Sequence, residues 1–195
     1  MKILLMTLAL TATLVQAGGA QVRLPHVVVR TDLGDIEMEI DSVHAPATAA
    51  NFLHYVADGF YTNGRFHRTV KPDNQPNNVI KIEVIQAGPD SATKAQRGQP
   101  PLALERTSIT GLLHKDGTVS MARGGPDTAT SDFFICIGDQ LELDFGGKRN
   151  ADGQGFAAFG RVVAGSDVVK KIQLSPVEAQ RLTPPVRILE IKRAP

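Results

Sequence analysis

The pattern of hydrophobic and polar positions predicts a protein built mainly from short β-strands. Residues 26–41 alternate apolar and polar side chains on either side of a turn at residues 32–34, as expected for a β-hairpin with one buried face. Further short apolar segments, separated by turns and polar loops, lie at residues 64–70, 79–86, 118–122, 133–137, 156–163 and 186–191. About eight short strands suggest a closed antiparallel barrel, because closure leaves no exposed sheet edge.

Two segments have helical periodicity instead. Residues 45–59 repeat apolar side chains at helical spacing, with Pro46 suited to the first turn and Gly59 closing the segment. A second, shorter helix is predicted to follow Ser166, which would serve as its N-cap. The predicted fold class is therefore mainly β: a closed eight-stranded antiparallel β-barrel capped by two α-helices.

The first residues of the chain predict a secretory signal peptide. Lys2 precedes an uncharged, mostly apolar run over residues 3–15, and small residues follow at Ala17 and Ala20. This run is shorter than the ~20 residues that a helix needs to span a bilayer, which favours a cleaved signal over a membrane anchor. We expect residues 1–20 to be removed, with cleavage after Ala17 or Ala20, and residues 21–195 to form a single domain.

An exported protein of this kind is expected in the periplasm, or otherwise outside the cell. After signal cleavage we expect no membrane association. The lone thiol of Cys136 would be safest there when buried in a strand, since the compartment is oxidising.

Composition and charge exclude several classes of function. The 21 Lys and Arg residues against 20 Asp and Glu residues give a net charge of +1, too little positive excess to favour nucleic acid. A single Cys cannot form an internal disulfide or a zinc-binding Cys cluster, and the His residues lack the spacing of zinc enzymes. No Gly-x-Ser-x-Gly motif supports a serine hydrolase. We therefore expect no cofactor, no metal and no nucleic-acid partner, and a monomeric chain.

Six short motifs, taken in order, resemble the cyclophilins, a family of peptidyl-prolyl cis-trans isomerases. They are FHR at residues 66–68, VIQAG at 84–88, VSMAR at 119–123, SDFFI at 131–135, LD at 143–144 and FGRV at 159–162. The resemblance covers essentially the whole predicted mature chain. It implies an eight-stranded barrel with two helices, and an isomerase that assists the folding of exported proteins by acting on their Pro-containing segments.

The resemblance also implies which residues act. Rotation about a peptide bond is opposed by amide resonance, with a barrier of ~18–20 kcal/mol. In the twisted transition state the prolyl nitrogen regains a lone pair, so a donor aimed at that nitrogen favours the transition state. By resemblance, Arg68 is this catalytic donor. The substrate-binding residues carried over from the family are Val84, Gln86, Ala122, Arg123, Asp132, Phe134, Leu143 and Phe156.

The chain departs from the family pattern at several of these positions. Asp132 stands where the family commonly has Gln, and we expect it to orient Arg68 through an ion pair instead of competing with substrate. Glu83 aligns with a pocket Phe after an apparent insertion, which leaves Ile82 or Val84 as the alternative wall. Glu142 aligns with a rim Trp, and its presence predicts weak binding of cyclosporin.

A second class of function stays open at this point. A cyclophilin-fold module could bind Pro-containing segments with little turnover, as Glu83, Glu142 and the inserted loop suggest. The presence of Arg68 and Phe134 favours the enzyme.

Overall fold

The computed structural model describes residues 23–194, so the predicted signal peptide at residues 1–20 lies outside the described residues. The strands are β1 (His26–Thr31), β2 (Gly34–Ile40), β3 (Arg65–Val70), β4 (Val84–Gly88), β5 (Thr118–Met121), β6 (Phe133–Cys136), β7 (Ala158–Ala164), β8 (Val177–Glu178) and β9 (Arg181–Arg193). The α-helices are α1 (Pro46–Ala57), α2 (Ser91–Arg97), α3 (Thr107–Thr110) and α4 (Ser166–Gln173).

Eight of these strands close into a barrel. Their order is β1-β2-β7-β5-β6-β4-β3-β9, and β9 pairs with β1 to complete the circle. Every neighbouring pair is antiparallel, and β8 is a short addition that pairs only with β9. The predicted eight-stranded antiparallel barrel is therefore confirmed.

The first hairpin shows how the sequence pattern produces the barrel wall. Alternate apolar positions are fully buried, namely Val27, Val29, Ile36, Met38 and Ile40, while the acidic positions face outward. At the turn, Gly34 has a φ of +129° and a Cβ there would lie 2.8 Å from Val168 Cγ2. Glycine is required because it alone accepts that conformation without a clash.

Helix α1 packs its apolar face into the barrel. The ring of Phe52 lies 5.5 Å from those of Tyr61 and Phe133 and 5.1 Å from that of Phe159. The helix begins without a capping side chain of its own. Glu105 instead accepts hydrogen bonds from the backbone N–H groups of Ala47, at 3.1 Å, and Thr48, at 2.7 Å. A residue distant in sequence thus satisfies the free donors of the first turn.

The remaining helices differ in part from expectation. Helix α4 forms as predicted, but its N-cap is Gly165, with a φ of +85°, and Ser166 is its first residue. A Cβ on residue 165 would lie 2.3 Å from the carbonyl oxygen of Asp35, which only glycine avoids. Helices α2 and α3 are too short to show a periodic pattern, and the sequence did not predict them. No helix within residues 23–194 is long and apolar enough to cross a membrane.

Strand β4 begins at Val84, later than the pattern of residues 79–86 predicts. Both backbone polar groups of Ile82 bond to the buried Gln75 side chain instead of to a neighbouring strand. Gln75 donates to the carbonyl of Ile82 at 2.8 Å and accepts from its N–H at 3.3 Å. Because these groups bond to a side chain, the apolar run from 79 to 83 folds as a loop.

The thiol of Cys136 on β6 should be unreactive in the folded protein. Its side chain is buried, and burial, with the charges of Asp144, Asp116 and Asp139, raises the pKa of the Cys136 thiol well above its usual range. Since the thiolate is the reactive form, we expect no reaction with Ellman's reagent at neutral pH until the protein is unfolded in guanidinium chloride. The Cys136→Ser variant supplies the zero-thiol control, and rapid labelling of the native protein would contradict this prediction.

Candidate functional site

A pocket of ≈ 240 Å³ lies on the outer face of the barrel wall. It is lined by every predicted site residue except Asp132, and also by Ile82, Arg149 and Asn150. We call this the apolar pocket, because its floor is formed by the buried side chains of a second hydrophobic cluster that is separate from the barrel core.

The pairing of three strands brings the central residues of the pocket together. Gln86 on β4 is directly opposite Arg68 on β3 and Phe134 on β6. Directly paired residues project from the same face of a sheet, while their neighbours along the strand project from the other. Ile85 and Ala87 accordingly belong to the barrel core, while Val84 and Gln86 line the pocket.

Aromatic and aliphatic side chains shape the floor. The rings of Phe134 and Phe156 meet edge to face, with centroids 5.4 Å apart and an interplanar angle of 89°. Leu143 and Val84 are almost completely buried beside them. The result is a small apolar depression with a fixed shape, suited to a compact apolar ring.

A buried polar network supports this floor, and the sequence did not identify it. The imidazole of His114 stacks on Phe134, with ring centroids 5.9 Å apart. Its Nδ1 lies 2.6 Å from Asp144 Oδ1, and its Nε2 lies 2.9 Å from Ser120 Oγ. His114 and Ser120 are fully buried, so these groups hold Phe134 in place and do not face a substrate.

Arg68 stands at the edge of the pocket and is held by two amide side chains. Its Nη1 donates to Gln86 Oε1 at 2.9 Å, while its Nε and Nη2 donate to Gln180 Oε1 at 2.9 and 2.6 Å. Burial lowers the pKa of Arg68, and the charge of Arg149 lowers it further. A guanidinium nevertheless stays protonated in proteins, so neutral partners fix its position and leave its positive charge uncompensated.

Gln180 was not a predicted site residue. It lies between β8 and β9, 112 positions from Arg68 along the chain, so no local sequence pattern could connect the two. Its own amide nitrogen donates to the backbone oxygen of Asn74 at 3.0 Å. The acceptor that faces Arg68 is thus itself held in position.

The expected ion pair between Asp132 and Arg68 is wrong. The carboxylate of Asp132 instead accepts from Lys94 Nζ at 2.7 Å. Lys94 lies on α2, a helix that the sequence pattern did not predict, and it neutralises the carboxylate. Asp132 lies outside the apolar pocket and lines a separate cleft that also reaches Arg68.

The side chain of Arg123 has a structural role. It bonds Asp152 through both terminal nitrogens, at 2.8 and 2.9 Å, and lies over the Phe156 ring with its Cζ 4.9 Å from the ring centroid. Hydrogen bonds from Arg123, followed by one from the Gln154 backbone, lower the pKa of Asp152 to about 2. The pair fastens the loop that carries Phe156 to the end of β5.

The two unusual glutamates do not line the pocket. Glu83 accepts a hydrogen bond from Gln173 Nε2 at 2.7 Å, and Glu142 accepts one from the backbone N–H of Lys148, also at 2.7 Å. Ile82 and Val84 form the wall that Glu83 leaves vacant.

Arg149 ties the inserted loop to the rim of the pocket. Its Nη1 donates to Gln75 Oε1 at 2.9 Å and to the carbonyl oxygen of Ile80 at 2.6 Å.

In the part of the chain that the structure describes, no group of three or more His, Cys, Asp or Glu side chains could hold a metal ion.

Comparison with known proteins agrees with this geometry. Residues 26–193 match the family model described as cyclophilin type peptidyl-prolyl cis-trans isomerase/CLD. The chain is 37% identical over 160 residues to peptidyl-prolyl cis-trans isomerase A of Dickeya dadantii, which covers 82% of this chain and 75% of that protein. It is also 37% identical over 149 residues to peptidyl-prolyl cis-trans isomerase B of Escherichia coli, covering 75% and 83% of the two chains.

Solved structures show the same fold. A crystal structure of a cyclophilin type peptidyl-prolyl cis-trans isomerase from Cryptosporidium parvum aligns with a TM-score of 0.71 at 23% identity, covering 88% of this chain and 98% of that one. A second structure of that protein, determined in the presence of the dipeptide Ala-Pro, aligns with a TM-score of 0.70. From the family match, the relatives and the fold together, this chain belongs to the cyclophilin-type peptidyl-prolyl cis-trans isomerase family.

Proposed function

We propose that this protein accelerates the isomerisation of X-Pro bonds by donating a hydrogen bond from Arg68 to the prolyl nitrogen in the transition state. The observation that carries the proposal is the placement of a half-buried guanidinium, still positively charged, at the edge of a pocket sized for an apolar ring. No covalent step is needed, because the reaction requires only the loss of amide resonance.

The contributions of Arg68 and of the pocket can be compared. A hydrogen bond to a charged group contributes ~1.5–3 kcal/mol, which corresponds to about 10- to 150-fold in rate. The remaining acceleration is assigned to binding: the pocket holds the proline ring, and the chain at Ala122 and Arg123 holds the neighbouring peptide. Rotation is then confined to one bond.

The substrate class has support from the comparisons as well. The Cryptosporidium parvum protein that shares this fold was crystallised in the presence of Ala-Pro, an X-Pro dipeptide. We propose Pro-containing segments of exported proteins as the substrates of this chain.

The alternative of a binding module with little turnover has lost its main support. Glu83 and Glu142, which suggested it, make hydrogen bonds away from the apolar pocket. The inserted loop reaches the rim through Arg149 and leaves Arg68 open to the pocket.

Replacement of Arg68 tests the mechanism. We expect Arg68→Ala to lower kcat/KM by at least about tenfold, because the donor to the prolyl nitrogen is lost. Arg68→Lys should recover only part of the activity, since an ammonium lacks the planar fork that Gln86 and Gln180 hold. The measurement is cis/trans exchange of a short X-Pro peptide by NMR. Equal, slow exchange with wild type and Arg68→Ala would leave only the binding module.

Replacement of Gln180 tests whether the position of Arg68 matters. Gln180→Met keeps the size of the side chain and removes the acceptor, so we expect kcat to fall severalfold with little change in KM. Gln180→Glu restores an acceptor for the same N–H groups but adds a carboxylate that offsets the charge of Arg68, so we expect it to recover only part of that loss. A fall in thermal stability that accounts for the lost activity in both variants would show a structural role only.

We also propose that residues 1–20 direct export and are then removed. The support is the short apolar run that follows Lys2 and ends at small residues. After expression of the full chain in a bacterial host, the N-terminus of the protein in the periplasmic or extracellular fraction should be Gly18 or Gln21, as read by mass spectrometry. An intact Met1 on protein retained in the cytosol would contradict export.

A further inference from the structure

A second concavity, of ≈ 610 Å³, adjoins the apolar pocket at Arg68. We call it the basic cleft, because its titratable lining residues are mostly basic: Arg65, His67, Arg68, Lys94, Asp132 and Arg181. Arg68 lines both the cleft and the apolar pocket, so the two sites are continuous through one guanidinium.

The charges in the basic cleft do not balance. The lining holds four permanent cations and a single carboxylate, that of Asp132, which Lys94 neutralises at 2.7 Å. None of the ion pairs within residues 23–194 involves Arg65, Arg68 or Arg181. Three guanidinium groups therefore share the cleft without a carboxylate partner.

The strand register makes this arrangement costly. Arg68 on β3 is directly opposite Arg181 on β9, and both side chains line the cleft. Like charges directly opposite each other on a sheet are destabilising. Glu178 pairs with Arg181 across the β8–β9 hairpin, but it does not line the cleft or form an ion pair there. An unrelieved repulsion of this kind is expected where an anion binds.

The other titratable groups nearby do not relieve it. Asp90 accepts hydrogen bonds from the Thr93 hydroxyl and from the backbone of Thr93 and Ala92. These bonds, those from Thr93 first, lower the pKa of Asp90, and the charge of Arg65 is the last of the causes. Burial lowers the pKa of His67, so this side chain is neutral at neutral pH and adds no charge.

We propose that the basic cleft is a subsite for an acidic side chain, Asp or Glu, of the same polypeptide whose proline occupies the apolar pocket. The proposal rests on the proposed function, because the bound proline places the chain beside Arg68. A guanidinium is well matched to a carboxylate, since its planar fork forms paired hydrogen bonds. An extended chain advances about 3.3–3.6 Å per residue, so a side chain near the proline along the peptide can enter the cleft.

The first test compares short peptides that contain one Pro and differ only by a Glu or a Gln placed at one position at a time. Binding is followed by NMR titration, and cis/trans exchange is measured in the same spectra. We expect the Glu peptide to bind about three- to tenfold more tightly than its Gln counterpart, at positions on one side of the proline only. High salt should reduce this ratio, because the cleft is open to solvent.

The second test removes the unpaired charges. In Arg65→Gln/Arg181→Gln the ratio of Glu to Gln affinity should fall towards one. Arg181→Gln alone, a change at an exposed position, should lower the ratio in part and serves if the double variant folds poorly. The matched control is Arg30→Gln, which also removes one exposed positive charge but lies on β1, where Arg30 bonds Glu190. Its ratio should equal that of the wild type.

Other outcomes of these tests would overturn either the acidic subsite or the proposed isomerase activity. Equal affinity of wild type for Glu and Gln peptides overturns the subsite, and so does a preference that is the same on both sides of the proline or falls equally in Arg30→Gln. Inorganic phosphate that binds the cleft without any preference for Glu peptides would show a small-anion site and would also overturn it. Failure to accelerate exchange of any peptide contradicts the proposed isomerase activity, while the affinity ratio still decides the subsite.

Discussion

The register among β3, β4 and β6 is the constraint on which the site depends. It places Arg68, Gln86 and Phe134 in one row across the outer face of the barrel wall. A slip of one residue would send these side chains into the core and bring Ile85 and its neighbours out. Because the inner face is filled by the hydrophobic core, burial of that core holds the register and hence the site.

Two of the three arginines that line the pocket, Arg68 and Arg123, show that the same side chain can have different roles. Arg123 is paired with a carboxylate, that of Asp152, and its charge is neutralised in fastening a loop. Arg68 is held by amide oxygens, which satisfy its donors and leave its charge available. Neutral anchoring suits a group that must stabilise a developing lone pair, because a carboxylate partner would compete for the same donors.

A buried hydrogen-bond network behind the floor of the pocket makes that floor rigid. The network of His114, Asp144 and Ser120 fills the space behind Phe134 with mutually satisfied hydrogen bonds, so the ring has a defined position. Buried polar groups of this kind are stable only when every member is paired. The outer face of the wall thus combines a rigid apolar surface with one charged group that borders two concavities.

Local sequence determined the elements with strong periodicity. The β1–β2 hairpin and α1 follow from alternation and helical spacing, because each depends mainly on neighbours in the chain. The six family motifs identified the barrel and most residues of the apolar pocket, and the family match and the fold agree with that identification. The signal peptide stays a prediction from the sequence.

Tertiary structure decided the partners of these residues. Gln180, 112 positions from Arg68 in the sequence, accepts hydrogen bonds from its guanidinium. Lys94 pairs with Asp132, which was expected to pair with Arg68. Gln75 bonds the backbone of Ile82, and the start of a predicted strand is a loop there. The first two are hydrogen bonds between groups far apart in the sequence, while the third joins residues only seven positions apart in a loop without periodicity. Periodicity reports which face of an element is buried, but it does not report which distant polar group will complete a hydrogen bond.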